Sequence, residues 1–94
     1  MQVEVITGPD KTTKLLEVHN YLCRRGLAVP IFTGNRWTTP YFIIQLKQYA
    51  KLGIPHFLAD DCTRQQIQAV LELQQEEEQF DIPEDFVIHL GRQA

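Results

Sequence analysis

The sequence predicts a small three-layer α/β domain built on a four-stranded parallel sheet, with its elements in the order β-α-β-α-β-α-β. Three observations predict it. Short apolar, β-rich segments alternate with longer stretches of helical periodicity. Each helical stretch is long enough to be the crossover that parallel strands require. The breaks between segments carry Gly, Pro, Asp or Thr where turns and helix caps need them.

Gln2–Thr7 is the first strand, and Gly8-Pro9 ends it. Asp10 or Thr12 is placed to cap the first helix, along which Leu15, Leu16, Val18, His19, Leu22 and Cys23 form a broad apolar stripe. Arg24 and Arg25 complement the helix dipole at its end, and Gly26 suits the residue just beyond. Ala28–Thr33 is the second strand, closed by Gly34-Asn35. Pro30 has no amide hydrogen for a ladder, so this strand belongs on a sheet edge.

Thr38 or Thr39 caps the second helix, with Pro40 in its first turn. Ile43, Ile44, Leu46, Lys47, Tyr49, Ala50 and Leu52 keep a helical rhythm up to Gly53. Ile54–Ala59 is the third strand, expected to stop at Asp60-Asp61. The third helix starts at Thr63 and runs through Ile67, Val70 and Leu71 toward Gln79. Glu76-Glu77-Glu78 oppose the dipole near its end and weaken the last turn. After Pro83, Asp85–Leu90 forms a short fourth strand ahead of a polar tail.

Right-handed crossovers place helices on both faces of such a sheet. Three helices cannot cover two faces equally, so one face is expected to keep a single helix and to offer exposed apolar area as a dimer surface.

With 94 residues, the chain fits one domain, and its 44% hydrophobic content is that of a protein with a packed core. A formal charge of −3 argues against non-specific nucleic-acid binding, which depends on clustered Lys and Arg. Cys23 and Cys62 have no metal-ligand spacing with each other or with His19, His56 and His89, and read as free thiols of a reducing compartment. Neither a signal peptide nor a membrane span is visible, so the expected location is cytoplasmic, without membrane attachment.

In parallel α/β sheets ligands bind beyond the carboxyl ends of the strands. That rule gathers Thr7–Thr13, Thr33–Thr39, Asp60–Arg64 and Gly91-Arg92 at one rim. Its cations are Lys11, Arg36, Arg64 and Arg92, and its anions Asp10, Asp60 and Asp61. The candidate ligand-binding residues are Gly8, Asp10, Lys11, Thr12, Thr13, Arg36, Trp37, Asp60 and Asp61.

Over nearly its whole length the chain resembles the front part of a P-loop nucleoside or nucleotide kinase, thymidylate-kinase-like in particular. The resemblance is carried by "VITGPDKTTKLLEVHNYLCRRG" for the first strand, loop and helix, by "IPHFLADD" for a Walker B-like strand ending in acid, and by "PEDFVIHL" for the strand after the third helix. It implies that the loop near Gly8 faces phosphates and that the acid after the third strand holds magnesium or orients an acceptor. The chain departs from that pattern at the loop. A G-x-x-x-x-G-K-[ST] loop needs enough backbone to wrap its amides around phosphate; between Gly8 and Lys11 three residues of that spacing are missing, and Asp10 replaces the second glycine. Asp10 would repel a phosphate, although Thr12, Thr13 and the helix dipole remain as anion-binding elements. A lid with its arginines is also missing.

Each feature has a plainer reading. Gly8-Pro9-Asp10 also reads as a strand-to-helix turn with Asp10 as N-cap, and Asp60-Asp61 as a loop and cap for the third helix. His19, His56 and His89 read as packed residues. Trp37, beside Arg36, is equally an interface anchor and a ring tucked under the second helix. Nucleophilic catalysis finds little support: the dipole disfavours a thiolate at Cys23, two aspartates precede Cys62, and the chain contains no Ser.

The sequence therefore leans away from an enzyme, with no catalytic or metal-ligating residues assigned. The expectation is a non-catalytic binding or regulatory protein on a trimmed P-loop-like fold, without cofactor, acting as a homodimer or with a protein partner. The alternative is a nucleotide- or phosphate-binding protein that holds the anion at Lys11 and the first helix's N-terminus, with ATP and magnesium as its cofactors, and that is kinase-like where a partner supplies the missing parts.

Overall fold

The structure, a computed structural model, describes residues 1–76 and 78–93; Glu77, in the glutamate triplet, lies outside the described residues. In chain order the elements are β1 (Gln2–Ile6), α1 (Lys11–Arg24), β2 (Ile31–Thr33), a 3-10 turn (Gly34–Arg36), α2 (Thr39–Lys51), β3 (His56–Cys62), α3 (Arg64–Gln75) and β4 (Val87–Arg92). All the strands run parallel, in the order β1-β4-β3-β2. The expected fold class is thus present. β2 sits on the expected edge but begins at Ile31 rather than Ala28, so Pro30 precedes the strand and takes no place in its ladder.

The order explains the layers. From β1 to β2 the chain crosses the whole sheet; from β2 through β3 to β4 it returns. Right-handed crossovers put helices of opposite travel on opposite faces. Accordingly α1 packs on β2, β3 and β4 from one side, while α2 and α3 pack together on the other.

Local chemistry sets the helix ends. Thr38 Oγ1 accepts from the Tyr41 amide with Pro40 in the first turn, and α2 ends ahead of Gly53 at φ 76°. The Thr63 hydroxyl accepts from the Gln66 amide and the Gln66 side chain accepts from the Thr63 amide, a complete capping box for α3. Gln66 is fully buried because its amide group also donates to the carbonyls of Gly34 and Trp37, tying the turn after β2 to α3.

Several boundaries depart from the sequence reading. β3 does not stop at Asp60-Asp61 but runs through both to Cys62, because a register shift against β4 between Ala59 and Cys62 absorbs an extra residue. α3 ends at Gln75, short of Gln79. The apolar stripe of α1 is narrower than expected: Leu15 and Leu22 are buried, whereas Leu16 and Cys23 are exposed. On α2, Phe42, Leu46 and Ala50 are buried while Ile44 and Leu52 face outward.

Candidate functional site

The carboxyl ends of β1, β3 and β4 meet the start of α1, and four of the candidate residues converge there. Lys11 opens α1. Its Nζ donates to Asp61 Oδ1 at 2.6 Å and to Asp60 Oδ1 at 3.1 Å, with only 13% of the lysine side chain exposed. Thr12 Oγ1 donates to Asp60 Oδ2 at 2.7 Å, and the Asp61 amide donates to Asp60 Oδ1 at 2.8 Å.

Consecutive residues of a regular strand point to opposite faces, so Asp60 and Asp61 should not share a partner. The bulge in β3 makes it happen. Asp61 takes φ 50°, in the left-handed region that Asp tolerates better than most residues, and this swings its carboxylate onto the lysine that Asp60 already holds. Gly91 on the neighbouring strand leaves the space: a Cβ there would lie 2.7 Å from Asp60 Oδ1 and 2.9 Å from Leu15 Cδ1.

The electrostatics follow from this geometry. The Asp61 hydrogen bond holds the Lys11 pKa above its ordinary value, against burial, with Asp60 adding to it. Burial pushes Asp60 up, but the Thr12 hydroxyl, the Asp61 amide and Lys11 outweigh it and hold its carboxyl below the usual range. Burial first, and the Asp60 charge second, push the Cys62 thiol up to about 12, so it is a packed, unreactive group.

The turn before α1 is open. Gly8 adopts φ 93°, and Asp10 occupies the N-cap position without a side-chain hydrogen bond to the helix. The capping role that Asp10 was expected to play is therefore not made, and Asp60 and Asp61 do not cap α3, whose cap is Thr63. A cavity of about 500 Å³ beside the turn is lined by Thr7, Gly8, Pro9, Lys11, Arg92 and Gln93. Thr13 is exposed on the first turn of α1.

Arg36 and Trp37 sit apart, after β2. Arg36 is exposed. Trp37 is half-buried, with its ring 4.7 Å from Phe32, 5.1 Å from Tyr41 and 6.1 Å from Phe42. The ring thus packs against the start of α2, as the tucked reading expects, and keeps part of its surface open.

A second polar group went unread in the sequence. His56 Nδ1 lies 3.1 Å from His89 Nε2, and His89 Nδ1 lies 3.3 Å from Glu4 Oε1. A carboxylate only accepts, so His89 donates to Glu4 through Nδ1; when His89 is neutral, its Nε2 accepts and His56 donates to it. Only the register could reveal this chain, since it pairs Glu4 with His89 and places His56 one strand further on. The Gln66 bridge, by contrast, carried a readable signal in the Thr63-x-x-Gln66 pattern. His19 is a packed residue whose Nδ1 lies 2.8 Å from the Val29 carbonyl.

Among the described residues no group of three or more His, Cys, Asp or Glu side chains is arranged to hold a metal ion, and no helix is long and apolar enough to cross a membrane. Comparison of the chain with known proteins returned no matching family model, no matching curated protein and no matching solved structure.

Proposed function

We propose that the chain is a non-catalytic binding or regulatory protein, built on a trimmed P-loop-like fold and acting through protein contacts, as a homodimer or with another protein. The observation that carries this reading is the double pairing of Lys11. A lysine that grips phosphate must present its charge to the ligand; here Nζ lies 2.6 and 3.1 Å from two carboxylates. Asp60 and Asp61 already neutralise the Lys11 charge, and Asp10 adds a further carboxylate at the start of α1. The cluster acts as a clasp between α1 and β3.

The test is a thermal-shift titration with ATP or a deoxynucleotide and magnesium. The expected result is no rise in melting temperature for the native chain, with Lys11→Ala lowering the melting temperature equally with and without nucleotide. A nucleotide-dependent rise that Lys11→Ala abolishes would overturn the reading.

One observation favours a second reading, nucleotide or phosphate binding. The cavity of about 500 Å³ beside Gly8 has Arg92, for which no described side chain supplies an ion pair, in its lining, next to a helix whose cap residue leaves the first amides free of its carboxylate. In this reading Thr12 and Asp60 accompany a magnesium-bound nucleotide, and Lys11 exchanges an aspartate for phosphate on binding.

A further inference from the structure

The two edges of the sheet are protected unequally. β2 is three residues long and follows Pro30 directly. β1, at the other edge, is five residues long; its one protective charge, Glu4, is turned to His89 on the α1 face, and it contains no proline, lysine or bulge. The Gln2 amide donates to the Phe86 carbonyl at 2.8 Å, so the even-numbered residues of β1 bond to β4. The amide and carbonyl groups of Val3 and Val5 then face away from the sheet. Above this edge, α3 packs on β1 and β4 and leaves an open groove of about 340 Å³. Its floor is Val5, Ile67 and Leu71, and its rim is Arg64, Gln68 and Arg92. Val5 is 39% exposed and Leu71 42%, large values for neighbouring aliphatic side chains beside an open strand.

We infer that β1 and the outer side of α3 form a two-fold interface with a second copy of this chain, in which the β1 strands pair antiparallel and join the two sheets into one. The inference rests on the binding-protein reading above and gives it a surface; the Lys11 clasp takes no part.

Charge selects a second copy over an unrelated strand. Arg64 and Arg92 lie at the carboxyl end of this edge. Glu72 lies toward the other end of α3, with Glu76 and Glu78 following. A two-fold axis across the edge reverses one copy against the other and brings each basic end to the acidic stretch of its mate. Val5 shares the groove with Gln68, and Arg64 and Glu72 stand four residues to either side of Gln68, so an axis near Val5 sets Arg64 of one copy beside Glu72 of the other. The distances agree. Because α3 spans β1 and β4, strands spaced about 4.8 Å apart put the two α3 axes about 10 Å from each other, within reach of direct helix packing.

Register follows from the pairs. An axis through Glu4 would set two glutamates directly opposite, which is unfavourable. An axis through Val5 pairs Val5 with Val5 and Glu4 with Ile6, covers the exposed valine, and lets the outward-facing backbone groups of Val5 bond reciprocally.

Sedimentation equilibrium of the full chain tests this. The native protein is expected to dimerise with concentration, and Val5→Lys, which sets two ammonium groups face to face, to weaken the dimer by about a hundredfold or more while leaving the circular-dichroism spectrum native. Should Val5→Lys misfold, the charge pair decides: Arg64→Glu alone and Glu72→Arg alone each weaken the dimer, and an equimolar mixture of the two variants restores it as a heterodimer. A native chain that stays monomeric into the millimolar range overturns the inference. So does a dimer that folded Val5→Lys leaves intact, or a mixture without rescue. A nucleotide-dependent melting shift would strike the binding-protein reading alone, because the association constants are measured without nucleotide.

Discussion

The two faces of the sheet are completed by different means. On the face covered by α2 and α3, Phe42, Phe57 and Phe86 are fully buried, and the rings of Phe32, Phe42 and Tyr49 surround Phe57 at centroid distances of 5.3 to 5.5 Å. On the opposite face α1 stands alone, its Leu15 and Leu22 packed with Ile6, Val29 and Leu58. Beside it, where the sequence leads one to expect bare apolar surface, lies the chain Glu4–His89–His56. A sheet face with a single helix need not be sticky: side chains that point into it can be polar if they satisfy one another. Exposed apolar side chains occur elsewhere, at Leu16, Tyr21, Ile44 and Leu52; at the β1 edge Val5 and Leu71 stand beside an open strand.

The sharpest way to break the comparison uses two adjacent residues. Phe57 faces α2 and α3, Leu58 faces α1, and both are fully buried. Phe57→Ala is expected to cost about 4 kcal/mol and Leu58→Ala about 3 kcal/mol, each measured by urea unfolding. A larger loss at Leu58 would mean that the small core under α1 is the principal one.

Gly91→Ala is next. A Cβ at that position meets Asp60 Oδ1 at 2.7 Å and Leu15 Cδ1 at 2.9 Å, so both α1 and the clasp must shift. A loss of about 1–3 kcal/mol is expected. Gly53→Ala serves as a control, since φ 76° strains it while a Cβ there meets nothing within 4 Å. If Gly91→Ala costs no more than this control, α1 sits less tightly than the distances imply.

Lys11→Met removes the clasp's cation and leaves two carboxylates side by side, for an expected loss of about 1–2 kcal/mol, reduced because Asp61 is 43% exposed. The pH dependence separates its parts. Asp60 has a depressed pKa in the folded chain, so its contribution is present above the unfolded value of 3.8 and is lost as pH falls through the folded pKa. Lys11 has a raised pKa, so its contribution is present below 10.5 and is lost as pH rises through the folded pKa. In Lys11→Met the alkaline loss should shrink, leaving the part that comes from Tyr49 and Cys62, whose pKa values burial also raises. The acid loss should likewise only shrink, because Thr12 and the Asp61 amide still hold Asp60.

How far the sequence could be read follows from range. Elements fixed by neighbours in the chain were legible: Thr38-Thr39-Pro40 started α2, and Gly26 and Gly53 ended α1 and α2, whereas Pro30, read as part of β2, stands just before it. The alternation of elements gave a parallel sheet and one face with a single helix. What depended on register was hidden. Asp60 and Asp61 looked like the end of a strand because nothing local announces a bulge, and their union on Lys11 needs β4 and Gly91 in place. His56 and His89 looked like isolated packed residues until strand order made them neighbours.

The smallest expected effect lies in that histidine pair. Burial, and then the nearness of His89, lower the His56 pKa from its ordinary 6.5. The unfolded chain therefore takes up a proton that the folded chain refuses, and stability declines as pH falls from about 7, levelling off once pH passes the folded pKa. His56→Gln removes the titrating group but keeps a donor for His89 Nε2, so it should flatten urea-midpoint profiles between about pH 7 and 5 with little change above. An unchanged slope would assign the acid sensitivity of this face to another group and leave the polar chain as packing alone.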